Sequence, residues 1–270
     1  MPRNRWRVAV AAAAISITAA AAPASAGAAT TITLSGSTSV APLAAKLASK
    51  YVKSKDGVQF KLLQGGSDVG IADVSRGRVT LGMSSRDPKS SDPGGLVFNK
   101  IARDAICIIT NNSNPLTNIS QAQIQGVFGG SVRDWGAVSG SPLKSTIDVV
   151  VRTAASGTQD AFQKIFLENT KVFSGASQKS SNGLVQQSVS SNTNAIGYVS
   201  LAFTSGVNTV PYNGVPCTLE NAKSGQYSGV RSFYMVSRGA PTGPAQKWIN
   251  WIRKNPKAQK IIASEWVPLS

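Results

Sequence analysis

"VVVRTAASGTQDAFQKIF", residues 149–166, passes from a β-branched run into an amphipathic segment across a bridge of small residues. The valines favour a buried strand. "TQDAFQKIFLENT" (158–170) spaces its apolar residues as one face of a helix. Arg152 stands at the strand's end, four residues before Ser156-Gly157-Thr158. A guanidinium beside a valine run is costly unless it is paired, and its fork matches an oxyanion. The stretch therefore reads as an anion site where strand turns to helix. The competing reading is an ion pair between Arg152 and a nearby carboxylate, Asp148 or Asp160.

The same junction occurs twice more. "SGSTSVAP" (35–42) follows the strand "TITLSG", and "GGSDVG" (65–70) follows the strand "VQFKLLQG". Each leads into a helix. A helix start has unpaired N–H groups and a partial positive charge, glycine admits an anion close to the backbone, and hydroxyls add donors. Ser and Thr at such places also serve as plain caps worth about 1 kcal/mol. The recurrence, and the arginine in one of the three, favour the site over the cap.

Outward from these loops the chain alternates strand and helix. A third strand is expected at 79–85 and a fourth at 104–112, then a helix at 120–130 capped by Ser120. Strands follow at 195–203 and 231–237, and the C-terminal segment is helical with a break at Pro256. "SRDPKSSDPGG" (85–95) and "SGASQKSSNG" (174–183) read as polar loops. This is the pattern of α/β layers with largely parallel sheets. Ligands in such sheets sit outside the carboxyl ends of the strands, where all three junctions fall.

Composition narrows the chemistry. The 270 residues contain no histidine, which removes Ser-His-Asp and Cys-His catalysis and every histidine-based metal site. The formal charge is +16, a field that attracts anions. Its lysines and arginines are scattered, with no basic run after residue 7 and no zinc-finger or RNA-binding signature, so nucleic acid is not expected as a partner. Residues 1–26 read as a signal peptide: Arg3, Arg5 and Arg7, an alanine-rich apolar stretch, then Ala24-Ser25-Ala26. Without it, 25 basic and 12 acidic residues remain, +13. No cysteine follows the apolar stretch, so a lipid anchor there is not expected. The expected location is periplasmic or extracellular. In an exported chain Cys107 and Cys217 either form a disulfide or remain two buried thiols.

Arg152-Thr153-Ala154-Ala155-Ser156-Gly157-Thr158 resembles the R-x-x-x-S-G-T signature of PstS-type phosphate-binding proteins, the exported receptors of bacterial phosphate ABC transporters. Gly36 to Pro42 resembles their first phosphate loop and Gly66-Ser67 their second; "NPLTNISQAQIQGVFGGSVRDWGAV" and "KAQKIIASEWVPL" are similar too. The resemblance covers essentially the whole chain after the leader. It implies a two-domain periplasmic-binding-protein-like fold of type II, with the ligand in the interdomain cleft. Thr38, Ser39, Ser67 and Ser85 would face Arg152, Ser156, Gly157 and Thr158 across inorganic phosphate. "DAICIITNN" would carry the chain across, and a return is expected near 205–216. Domain I would then hold 31–108 with 217–270, and domain II 109–216. No cofactor or metal is implied, a membrane permease is the implied partner, and the receptor is expected to be a monomer. One position departs from the pattern. Many family members place an aspartate, the acceptor of the phosphate proton, where this chain has Ser85-Arg86-Asp87. A receptor for sulfate, molybdate or a phosphonate therefore stays open.

A rival of another class is a serine acyl enzyme. Ser141-Pro142-Leu143-Lys144, Ser180-Ser181-Asn182 and Lys223-Ser224-Gly225 match the three motifs of penicillin-interacting enzymes in order. That chemistry needs the lysine one turn along a helix from its serine. Pro142 and the strand that follows argue against a helix there.

Overall fold

A computed structural model describes residues 29–55 and 57–269. The signal-peptide reading lies outside them. The first lobe of the fold begins with β1 (Thr30–Gly36), α1 (Ala41–Val52), β2 (Val58–Gln64), α2 (Ser67–Ser75) and β3 (Leu81–Ser84). β1 pairs in parallel with both β2 and β3. Leu34, Leu43, Leu47 and Leu81 close the space between sheet and helix and are fully buried.

β4 (Leu96–Thr110) is longer than the 104–112 expected. Its first half alternates in burial, with Asn99 and Lys100 breaking the apolar run, so periodicity hid it. Two sheets share this strand. Leu96 to Ala105 pair with β9 (Val230–Arg238), whereas Ile106 to Thr110 pair with β7 (Ala195–Ser200) and, from Ile108, with β8 (Asn208–Val210). All three pairings are antiparallel, as is β3 with β9. The parallel ladders expected from the alternating pattern are thus confined to the outer strands.

Between β4 and β7 lie α3 (Gln121–Gly129), β5 (Asp148–Arg152), α4 (Gly157–Phe162), β6 (Ser177–Lys179) and α5 (Asn182–Ser190). β5 pairs in parallel with β6 and β7. α3 carries the expected capping box from Ser120 to Gln123. The helix expected at 158–170 is shorter: α4 widens into a π turn at Gln163–Leu167, which keeps Phe162, Phe166 and Leu167 buried. β6 and α5 fall in and after the segment 174–183 that reads as a polar loop. After β8 come α6 (Leu219–Ser224), β9, α7 (Gly243–Lys254) and α8 (Pro256–Glu265), the last two separated at the proline.

The buried side chains form two main cores. One joins α1 and β1 to β3, β9, α7 and α8; the other joins the C-terminal half of β4 to α3, β5, α4, α5 and β7. Cys107 and Cys217 are disulfide-bonded, with Cα atoms 5.6 Å apart. Cys217, Ala222 and Tyr227 all pack in the second core, although 217–270 was assigned to the first domain from sequence. Residues 208–210 pair with β4 inside that same core, so the chain turns back only at β9, not at 205–216. The disulfide and Tyr227, which donates to the Ile106 carbonyl at 2.7 Å, hold the intervening segment there.

Candidate functional site: a cage of hydroxyls around two arginines

The loop after β1 ends at α1, the loop after β2 at α2, and the loop after β5 at α4. All three meet at one place. Ser39 Oγ lies 2.9 Å from Thr158 Oγ1, Ser67 Oγ 3.3 Å from Ser85 Oγ, and Asp68 N donates to the Ala155 carbonyl at 3.1 Å. Gly157 shows how tight the meeting is. A Cβ there would stand 2.3 Å from Ser67 Oγ and 2.9 Å from Ser85 Oγ. Only glycine lets these loops touch. The structure brings together all eight residues singled out from sequence, Thr38, Ser39, Ser67, Ser85, Arg152, Ser156, Gly157 and Thr158, and all are buried.

Arg152 is 2% exposed. Nε donates to the Lys179 carbonyl at 3.1 Å, Nη2 to the Ser180 carbonyl at 2.8 Å, and Nη1 reaches Thr158 Oγ1 at 3.5 Å. None of these acceptors carries a charge. The carboxylates of the competing reading are engaged elsewhere: Asp148 accepts from Asn192, and Asp160 pairs with Lys89. Burial pushes the Arg152 guanidinium down to about 10, and the neighbouring Arg231 cation adds to the fall against the opposing influence of Tyr198.

Sequence reading missed several members of the cage. Arg231, at the head of β9, donates to Ser39 Oγ at 2.8 Å and to Asp104 Oδ2 through Nη2 (2.9 Å) and Nε (3.2 Å). Desolvation raises Asp104 and lowers Arg231, each opposed by the charge of the other. Asn182 Nδ2 donates to Thr38 Oγ1 and Ser39 Oγ at 3.0 and 2.8 Å, while its carbonyl accepts Ser200 N. Asn182 opens α5 behind the cap Ser181, so this is a fourth junction of the same kind. The cap followed by Leu184, Val185 and Val189 was the available signal. For Arg231 the signal was an arginine at the head of an apolar strand, the logic already applied to Arg152.

The polarity of the cage follows from these bonds. Ser39 Oγ accepts from Arg231 and Asn182, which fills its two lone pairs, so its proton points to Thr158 Oγ1. The proton of Thr158 is then free to point inward. Ser37 Oγ accepts from Ser39 N and Val40 N and donates to Ser85 Oγ at 2.8 Å. Two buried guanidiniums with one buried carboxylate leave one positive charge uncompensated. A water-poor enclosure of donors with net positive charge can hold a small tetrahedral oxyanion.

The residues after Ser85 turn away. Arg86 is held between Asp68 and Asp92; burial is the largest single influence and opposes its charge, but the hydrogen bonds and charges of the two carboxylates together outweigh it and raise its affinity for the proton. Asp87 accepts from Tyr234 at 2.8 Å and faces Lys164 at 3.4 Å. Neither supplies the cage with a proton acceptor. Residues 141–144 of the acyl-enzyme motif form no helix, and the Lys223 ammonium donates to the Ala263 carbonyl.

Fold and cage together define an oxyanion-binding α/β receptor. A model of the PBP superfamily domain matches residues 21–255. A substrate-binding protein ascribed to a phosphate ABC transporter of Clostridium perfringens, solved with bound phosphate, superposes with TM-score 0.83 at 31% identity, covering 89% of this chain and 100% of the other. An ABC-type phosphate transport receptor from Vibrio cholerae gives 0.70 at 28% identity, covering 87% and 99%. The phosphate-binding protein PstS of Bacillus subtilis is 24% identical over 243 residues, 88% of this chain and 80% of the relative. The chain belongs to the PBP superfamily, among its PstS-type phosphate-binding proteins.

Proposed function

We propose that the protein is an exported, monomeric receptor that binds inorganic phosphate and hands it to the permease of an ABC transporter. The observation that carries this reading is Arg152, a buried cation with no carboxylate partner among the described residues, enclosed by hydroxyl donors. A phosphate dianion would supply the missing charge. Arg152, Thr158, Ser156, Ser85 and Ser67 would hold its oxygens, with Thr38, Ser39 and Gly157 shaping the seat. The two cores would be the two lobes, closing on the anion about β4 and β9. Export is supported by the leader, and no helix among the described residues is long and apolar enough to cross a membrane.

A second reading, a receptor for sulfate or another oxyanion, is favoured by one feature. Ser85 stands where many relatives are expected to place a proton-accepting aspartate, and Asp87 faces Tyr234 and Lys164 instead. Calorimetric titration of residues 27–270 with phosphate, sulfate and molybdate at constant salt separates the two. Phosphate is expected to bind most tightly. Heat with sulfate and none with phosphate would overturn the proposal.

A further inference from the structure

Eight of the lysines scattered along the chain are carried by three helices that pack together and by the turn after the first of them. α1 and the turn after it carry Lys46, Lys50, Lys53 and Lys55, all exposed. α7 and α8, some two hundred residues later, add Lys247, Lys254, Lys257 and Lys260. These helices pack on one another. Tyr51 of α1 meets Trp251 of α7 edge-on, with ring centroids 5.2 Å apart. Among the described residues of these helices the one carboxylate is Glu265, and it pairs with Lys46. The other seven lysines have no carboxylate partner among the described residues.

A groove of about 700 Å³ lies between the C-terminal end of α1 and α7. Tyr51 and Trp251 lie along its floor, and Lys55, Lys247 and Lys254 line it. It lies at the far end of α1 from Ser39. Twelve helical residues separate the two, about 18 Å at 1.5 Å per residue. Cage and groove can therefore be filled together, and because the groove belongs to one lobe, an occupant there would not obstruct closure.

We propose that this groove docks a linear sugar-phosphate polymer. Lysines spaced along a channel neutralise successive phosphates, and a half-buried tryptophan between them offers a flat apolar surface for a sugar ring. The shape selects a strand over a bilayer. The aromatic side chains are recessed in a concavity, whereas a membrane surface calls for apolar side chains that protrude. The receptor would be retained on an anionic polymer while its cage remains free to bind and release small anions.

An abasic oligodeoxynucleotide is the probe, because it presents sugars and phosphates without bases. Binding is measured by fluorescence anisotropy across a salt series. The triple variant Lys55→Gln, Lys247→Gln, Lys254→Gln should bind at least about tenfold more weakly at low salt. Its slope of log K against log salt should be shallower by about 2, as for three lost contacts to a single strand. Lys144→Gln, Lys164→Gln, Lys171→Gln, three exposed lysines of the other lobe, should leave the slope unchanged. So should Arg152→Ala, which separates this proposal from the phosphate reading. Equal losses in the two triple variants would reduce the effect to bulk charge and overturn it. So would displacement by phosphate at a concentration that just saturates the cage, or tighter binding to phosphatidylglycerol vesicles than to the oligomer.

Discussion

Arg152 and Arg231 lie in the same cage, both at the ends of apolar strands, 2% and 6% exposed. Their partners set them apart. Arg231 is matched by Asp104, and Asp104 is in turn held by Ser200 Oγ at 2.9 Å. Arg152 is matched by two carbonyls and a hydroxyl. A buried ion pair is complete within the protein and orients its neighbours; here it fixes the direction of the Ser39 hydroxyl. A buried cation given only dipoles is complete when a charge arrives from outside. On the proposed reading Arg231 is a positioning group and Arg152 the ligand seat, although both are arginines facing the same space.

Substitution should pull the two apart. Arg231→Met leaves Asp104 buried without its cation, and removing one partner of a buried pair costs about 3–5 kcal/mol. Chemical denaturation of the ligand-free protein should show that loss. Arg152→Met removes a charge that has no partner, so the ligand-free protein should keep its stability to within about 1 kcal/mol. Phosphate affinity should instead fall by roughly 2–5 kcal/mol, with Arg152→Lys recovering part of it because an ammonium cannot present the fork. If Arg152→Met destabilised the free protein as much as Arg231→Met does, the distinction between them would collapse.

Much of the candidate site's assembly was legible in the sequence because helix starts have a local grammar. A strand, then Gly, Ser or Thr, then a helix is read within ten residues, and Arg152 announced itself against its valines. What was lost depended on distance. Asn182 opens a helix whose preceding strand, β6, is three residues long, too short to show a period. The pairing of Asp104 with Arg231 spans 127 residues and is set by the register of β4 on β9. The return of the chain was misplaced because the segment to Tyr227 is fixed by a disulfide and a buried hydroxyl, which leave no periodic trace. The basic groove was dispersed because its helices come from opposite ends of the chain.

A third arginine sharpens the comparison through pH. Arg86 donates to both oxygens of Asp92 at 3.0 and 2.6 Å, tying down the loop that follows Ser85. Burial alone would raise the Asp92 carboxyl. The Arg86 hydrogen bonds, Lys89 N and their charges outweigh it and hold the group below its usual 3.8. A depressed carboxylate contributes stability that is fully present above the unfolded value and lost as pH falls through the folded one. The Arg86–Asp92 contribution should therefore be intact at pH 5 and above and fade below about pH 4. Asp92→Asn should cost about 2 kcal/mol at pH 7, the scale of a hydrogen bond to a charged group. The gap between wild type and variant should narrow on acidification; a gap constant down to pH 3 would show that the carboxylate is not acting as a charge.

The smallest effect tests whether a cap can also be a ligand. Ser156 Oγ accepts from Thr158 N at 3.1 Å and Gln159 N at 3.3 Å, so it caps α4. Its proton remains available to an anion in the cage. Ser156→Ala removes both functions and should cost about 1 kcal/mol of stability with an affinity loss of about 1–2 kcal/mol. Ser156→Gly separates them, because glycine at a cap position costs only a few tenths of a kcal/mol. If the hydroxyl touches phosphate, the glycine variant keeps its stability and still binds as weakly as the alanine variant. If the hydroxyl serves only to hold the helix start in place, glycine restores affinity along with stability. Phosphate titration and thermal unfolding of the two variants side by side decide between these outcomes, and affinity restored in the glycine variant would remove Ser156 from the set of anion ligands.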